Sequence, residues 1–307
     1  MLYIFLAVKR KKLTNLADRA MQRAMSDTDR HIYILRVDCP DQPGLVAAVA
    51  GCLFAQGCNI EEAAQFNDKF SGRFFMRVVF SAPAVQGFRD EFAKIATQHA
   101  MGWDIHRADE KVPALLMVSK ADHCLNDILY RVRTDHLPLS ITAVVSNHEA
   151  CRTLVEHHGL RFIHMPVTPA TKATQEEALR QLVEQTGSEL IVLARYMQVL
   201  SADMCAAYPG RIINIHHSFL PGFKGAKPYH QAWERGVKII GATAHFVTSD
   251  LDEGPIIVQQ TQGIDHTLTP EALQVLGRDI EAQVLSRALQ SYAERRVFLQ
   301  GNRTVIL

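Results

Sequence analysis

The chain has 307 residues, 48% of them hydrophobic and 21% charged, with a formal net charge of +1. That length is more than one small core needs and suits two domains, and the near-neutral balance gives no global electrostatic footprint for nucleic acid. Cys39, Cys52, Cys58, Cys124, Cys151 and Cys205 form no C-x-x-C pair and fit no zinc finger or ribbon, so they read as buried, reduced thiols of a cytoplasmic protein.

In chain order, Leu2–Val8 is apolar but far shorter than the roughly 20 residues that span a bilayer. The basic run Lys9–Lys12 follows it, whereas a signal peptide puts its charge first. Residues 1–25 are therefore expected to be an extension outside the fold, with Met25 a candidate start and a transit peptide the alternative. No membrane association is expected.

His31–Val37 is rich in Ile, Tyr, Leu and Val and predicts a strand. A break is expected at Cys39-Pro40-Asp41-Gln42-Pro43-Gly44, a dense turn signal. Leu45, Val49 and Leu53 recur at i+4 and predict an amphipathic helix, with Gly57 at its C-cap. Asn59–Phe66 and Arg73–Phe80 read as strands around a turn at Asp68–Gly72. Phe88, Phe92 and Ile95 mark a second helix, and Trp103–Arg107 a fourth strand. The order is βαββαβ, a ferredoxin-like domain over residues 26–108. Residues 109–113, ending in Pro113, read as a linker.

Beyond it the pattern changes. Leu115–Val118, Ile141–Val145 and Leu190–Ala194 are short continuous apolar runs. Helical patterns fall between them at 123–132, 148–157 and 174–186. Strands buried on both faces and alternating with helices predict an open, mostly parallel α/β sheet over residues 114–307. Arg211–Ile215, Gly241–Val247 and Ile256–Gln260 extend the strand list, and a long helix over 270–293 closes the domain.

The chemistry concentrates in two segments. In Ile212-Ile213-Asn214-Ile215-His216-His217-Ser218, strand residues two apart share a face, so Asn214 and His216 project together. They sit at the strand's carboxyl end, where open α/β sheets bind ligands. In His245–Pro255 a strand runs into an acidic loop containing Asp252. Attack on a formamide carbon makes a tetrahedral oxyanion, which an Asn N–H and a protonated imidazole stabilise. A neighbouring carboxylate favours the imidazolium and takes or relays protons. His216, His217, His230 and His245 also invite a metal, but adjacent strand residues face opposite ways and there is no His-x-x-x-His helix, so none is expected.

These residues carry a resemblance. Asn-Ile-His-His-Ser-Phe-Leu-Pro at 214–221 is similar to the Asn-Ile-His signature of folate-dependent formyltransferases. Leu251–Pro255 resembles their catalytic Asp loop, and Leu193–Leu200 their folate-pocket segment. Asp41–Leu45 with Asn59 and Ile60 resembles an ACT domain. An ACT domain ahead of a formyltransferase-like domain resembles the formyltetrahydrofolate deformylases, and the likeness continues through 225–232 and 301–307.

The resemblance implies that Asn214 polarises the formyl oxygen, that His216 stabilises the oxyanion and transfers a proton, and that Asp252 holds His216 and helps activate water. It implies that the backbone at Met197, Gln198, Val199 and Leu200, and at Phe246, Val247, Thr248, Ser249 and Asp250, cradles the pterin. Gln198 departs from the Arg usual in the glycinamide ribonucleotide enzymes. 10-Formyltetrahydrofolate is then a substrate, and no cofactor is expected. Asp41, Gly44, Leu45, Asn59 and Ile60 would bind an amino-acid effector such as glycine or methionine, or mark a dimerisation module without a ligand. Side-by-side ACT pairing implies a homo-oligomer.

The same centre serves a transferase or a hydrolase. Transferases to a phosphorylated acceptor carry a glycine-containing phosphate loop after the first strand of this domain. Here Val118-Ser119-Lys120-Ala121-Asp122-His123-Cys124-Leu125 has no glycine, and Asp122 would repel a phosphate. Enzymes that formylate initiator tRNA carry a further RNA-binding domain, which this chain's short, non-basic tail does not resemble. Water is the expected acceptor, so the chain is expected to release formate for purine synthesis and one-carbon balance. The alternatives are transfer to an amine, or an amino-acid sensor with an inactive catalytic domain.

Overall fold

The computed structural model describes residues 30–220 and 228–307. The expected N-terminal extension and the Pro221–Lys227 part of the quoted motifs lie outside the described residues. The chain divides into one compact unit through Asp109 and a second from Glu110 to Ile306.

The first unit runs β1 (His31–Pro40), α1 (Leu45–Ala55), β2 (Asn59–Asp68), β3 (Arg73–Ala82), α2 (Gln86–Gln98) and β4 (Gly102–Arg107). Its antiparallel sheet has the order β2-β3-β1-β4, as the ferredoxin-like reading predicts. The expected break at Cys39 does not occur: Cys39 and Pro40 stay paired with Phe74 and Arg73. The reason is the direction of the missing donor. Asp41 N–H points to β3 and bonds the Gly72 carbonyl, so the Pro40 nitrogen faces the β4 side, where pairing has ended at Asp38. Phe80, Phe88 and Phe92 pack ring against ring beneath the sheet.

The second unit begins with β5 (Val112–Val118), α3 (His123–Arg133), β6 (Leu139–Ser146), α4 (Arg152–His157) and β7 (Phe162–His164). It continues with α5 (Lys172–Thr186), β8 (Leu190–Leu193), α6 (Ala202–Ala207), β9 (Ile212–His216) and α7 (Pro228–Glu234). β10 (Ile239–Phe246), β11 (Ile256–Gly263), α8 (Pro270–Ala293), β12 (Val297–Gln300) and β13 (Arg303–Ile306) complete it. The large sheet has the order β11-β10-β9-β8-β5-β6-β7, parallel from β9 to β7 with β10 and β11 added antiparallel.

Both faces of this sheet are covered, which is why its strands read as unbroken apolar runs. Ala114, Leu116 and Val118 of β5 pack toward α3 and α8, while Leu115 and Met117 pack toward α5 and α6. On β9, Ile213 and Ile215 join the first core and Ile212 the second. Asn214 and His216 therefore share the face of Ile212.

Several elements differ from the sequence reading. Val112 and Pro113, placed in the linker, belong to β5. Val112 N–H serves β6 through the Pro138 carbonyl, so the Pro113 nitrogen faces β8, which joins only from Ala114. Residues 148–151 form a turn rather than the start of α4, anchored by the Ser146 hydroxyl on His148 N–H. The β12–β13 hairpin closes on Gly301-Asn302, a two-residue turn signal the reading passed over.

Gly277 on α8 has a structural purpose. A Cβ there would fall 2.0 Å from the Tyr229 hydroxyl and 2.2 Å from its ring, and that hydroxyl bonds Glu281, one turn along the helix. Gly277→Ala gains roughly 1 kcal/mol of helix propensity but overpacks a buried ring, which costs about 1–3 kcal/mol. The substitution is expected to lower the midpoint of thermal unfolding. An unchanged or raised midpoint would mean that Tyr229 is not fixed there.

Candidate active site

The parallel register sets the first part of the site. Asn214 is level with Leu193, the last residue of β8, so Asn214 and His216 stand at the carboxyl edge of the parallel strands. The antiparallel register sets the second part. His245 of β10 lies directly opposite Asn214, and the Asn214 carboxamide donates to His245 Nε2 at 3.3 Å. His245 Nδ1–H donates to its neighbour's carbonyl, Phe246 O, at 2.8 Å. That bond leaves Nε2 as the acceptor in the neutral ring.

The loop after β10 brings the third part. Phe246 N–H bonds the Pro255 carbonyl, folding the loop back on its own strand. At Gly254 a Cβ would fall 1.8 Å from the Phe246 carbonyl oxygen, so only glycine allows this approach. The closed loop holds Asp252 at φ 58, in the left-handed region, which Asp tolerates better than most residues. There its carboxylate lies 3.2 Å from His216 Nδ1 and 3.6 Å from His245 Nε2.

Burial works to raise the Asp252 pKa. The hydrogen bond from His216, the largest opposing cause, holds the carboxyl well below the usual carboxylate range. His216 is buried, with side-chain exposure of 6%, and its Nε2 has no hydrogen-bond partner among the described residues. One ring nitrogen is thus anchored on the carboxylate and the other makes no hydrogen bond to the described residues.

These groups line a cavity of about 230 Å³. Asn214, His216 and Asp252 all contribute to it, as do Met197, Gln198, Val199, Leu200, Val247, Thr248 and Ser249. The loop after β8 is fixed by Ser119, whose hydroxyl accepts from Met197 N–H and whose own N–H bonds the Arg195 carbonyl. Two named residues do not line the cavity. The Phe246 side chain is buried in the core against Tyr292. Asp250 is exposed, and its carbonyl accepts from the Thr248 hydroxyl.

The structure adds groups that the sequence reading did not place. His245 is the clearest, since its partnership depends on strand register. Glu281, almost wholly buried on α8, gathers His123 at 2.7 Å, the Tyr229 hydroxyl at 2.6 Å and Arg195 at 3.4 Å. Its signal was present: it lies four residues from both Gly277 and Leu285, on the helix's buried face. His123, Cys124 and Glu281 are the one group of potential metal ligands found among the described residues, and Arg195 already supplies a cation there.

In the first unit, Asp41 accepts from the Asn67 carboxamide at 2.8 Å and Gly44 stands before α1 at φ 91. Leu45 is buried, Asn59 donates to Glu61, and Ile60 is 38% exposed.

A pH test follows from Asp252. Its folded pKa lies below its unfolded value near 3.9, so its contribution is present above that value and is lost as pH falls toward the folded one. Wild type is expected to lose stability between pH 4.5 and pH 3 more steeply than Asp252→Asn in urea unfolding. Parallel losses would show that the carboxylate is not held by the His216 imidazole.

Comparison with known proteins gives the family. Residues 113–289 match the formyl transferase family and residues 33–96 the ACT domain family. A formyltetrahydrofolate deformylase of Corynebacterium sp. (strain P-1) is 50% identical over 287 residues, covering 92% of this chain and all of that protein. The crystal structure of the formyltetrahydrofolate deformylase of Burkholderia mallei superposes with a TM-score of 0.87 at 51% identity, covering 90% of this chain and 99% of that one. A glycinamide ribonucleotide transformylase of Symbiobacterium toebii gives a TM-score of 0.62 at 31% identity and covers 66% of this chain and 98% of its own. By sequence and by structure over nearly its whole length, the chain belongs to the formyltetrahydrofolate deformylase family.

Proposed function

We propose that this protein hydrolyses the formyl C–N bond of 10-formyltetrahydrofolate, releasing formate and tetrahydrofolate. The observation that carries the reading is the contact of Asp252 with His216 and His245 beside Asn214, in one cavity.

The steps follow from the geometry. The pterin lies against Met197–Leu200 and Val247–Ser249, with the backbone of Phe246 and Asp250 completing the cradle. The Asn214 carboxamide has two N–H groups. One is used on His245, leaving the other for the formyl oxygen. Ionised Asp252 holds His216 by Nδ1 and so orients the ring. Nε2–H then donates to the oxyanion that forms as water adds to the carbon. Proton transfer to N10 lets the C–N bond break with its electron pair on nitrogen.

The acceptor side favours water over a phosphorylated amine. Ser119, where a phosphate loop would start, is buried and committed to Asn147, Arg195 and Met197. His123, at the first turn of α3, is bonded to the carboxylate of Glu281, which disfavours a second anion.

In this reading residues 114–307 are the catalytic domain, with no cofactor, and residues 26–108 are regulatory. Asp41, Gly44, Leu45, Asn59 and Ile60 receive an amino acid such as glycine or methionine between paired ACT domains of a homo-oligomer. The formate supplies purine synthesis in the cytoplasm. Among the described residues no helix is long and apolar enough to cross a membrane.

Purified protein given 10-formyltetrahydrofolate and no amine is expected to release formate and tetrahydrofolate in equal amounts. Asp252→Asn should fold and lose activity by on the order of 100-fold or more. No formate from the wild type would end the hydrolase reading, and near-wild-type turnover in Asp252→Asn would remove Asp252 from the mechanism.

A further inference from the structure

A hydrolase must hold its water, and the groups described so far do not say where. Asn214 and His216 face the formyl oxygen, and Asp252 is occupied by two imidazoles. The neighbouring residue is the unexplained one. β9 ends at His216 and the chain bends, so the His217 ring does not turn away as continued strand geometry would have it. It stacks on His216 with centroids 4.8 Å apart and planes at 21°. Both residues line the same cavity. His217 is 9% exposed, and its Nε2, like that of His216, is buried with no hydrogen-bond partner among the described residues.

An unsatisfied buried imidazole nitrogen is costly and calls for an explanation. A purely structural histidine would be expected to find a partner. The surroundings of His217 instead keep the ring uncharged. Arg195, His216, Glu281 and Asp252 are the charged and titratable groups acting on it, and the Tyr229 ring lies at 6.5 Å. Burial, then the Arg195 guanidinium, then His216 lower its pKa to about 4, and the acidic groups only partly oppose them. Glu281 holds Arg195 in place at 3.4 Å. A neutral ring is a hydrogen-bonding partner for a water molecule rather than a second proton store.

We infer that His217 Nε2 binds and orients the water that accepts the formyl group, making His217 the residue that directs this centre to hydrolysis. The inference rests on the hydrolase reading above. The water oxygen bonds to the formyl carbon as the carbonyl electron pair moves to oxygen beside Asn214 and His216. The carbonyl then re-forms, and the C–N bond breaks with its pair on N10. Of the water's two protons one ends on N10 and the other is released to solvent, giving tetrahydrofolate and formate. His217 ends the cycle unchanged, so it is a positioning residue.

The test separates water placement from formyl activation. His217→Phe keeps a flat ring against His216 and removes the nitrogen, while His217→Gln keeps a polar group. Each is assayed for hydrolysis and, with hydroxylamine added, for transfer to that small nucleophile, which carries its own reactive lone pair. His217→Phe is expected to keep the wild-type KM and lose hydrolytic kcat by on the order of 100-fold. Transfer to hydroxylamine should fall far less, so the ratio of transfer to hydrolysis rises at least 10-fold, and His217→Gln should recover part of the hydrolysis. Equal loss of both reactions in the folded variants, or undiminished hydrolysis in His217→Phe, would overturn the inference. If His217→Phe does not fold, the ratio in His217→Gln decides: a wild-type ratio overturns it and a raised ratio supports it. Failure of the wild type itself to make formate would instead overturn the hydrolase reading.

Discussion

Asp252 is a carboxylate taken largely out of water and held between two imidazoles. An exposed ion pair contributes about 0–1 kcal/mol. Stripping the partner from a buried one costs about 3–5 kcal/mol. With side-chain exposures of 14% for Asp252 and 6% for His216, this pair belongs nearer the second case. The rest of the site is arranged around it. Gly254 lets the loop close on β10, and the Phe246–Pro255 hydrogen bond holds it closed. His245 is fixed from behind by a backbone carbonyl and meets both Asn214 and Asp252. Removing the carboxylate therefore disturbs His216 directly and Asn214 through His245.

A second buried carboxylate organises the other side. Glu281 joins α8 to α3 through His123, to α7 through Tyr229, and to the loop after β8 through Arg195. The two networks meet at the stacked rings of His216 and His217. Asp252 anchors one ring by its Nδ1, while burial and Arg195 oppose charge on the other. Two adjacent histidines thus have different surroundings.

Much of the fold was legible in the sequence because burial on two faces leaves a local trace. Leu115–Val118 and Leu190–Leu193 are apolar at every position, and α8 emerges with the boundaries expected. Asn214 and His216 were legible for the same kind of reason, since a spacing of two on a strand is a local fact. What was missed is non-local. The pairing of His245 with Asn214 depends on the register between β9 and β10. The stacking of His217 depends on a bend at a strand end. Pro40 and Pro113 were read as breakers, yet each nitrogen faces a side where no partner strand needs it. Short α6 and α7 give too few turns for a periodic signal.

The site works as described only if Asp252 and His216 act as one unit at the formyl carbon. The most direct measurement is a double-mutant cycle in kcat/KM for 10-formyltetrahydrofolate hydrolysis, using Asp252→Asn, His216→Asn and the double variant. If the carboxylate works through the imidazole, the double variant will be about as impaired as the worse single one. If the two losses multiply, each residue acts independently, and the coupling on which the site is built is contradicted.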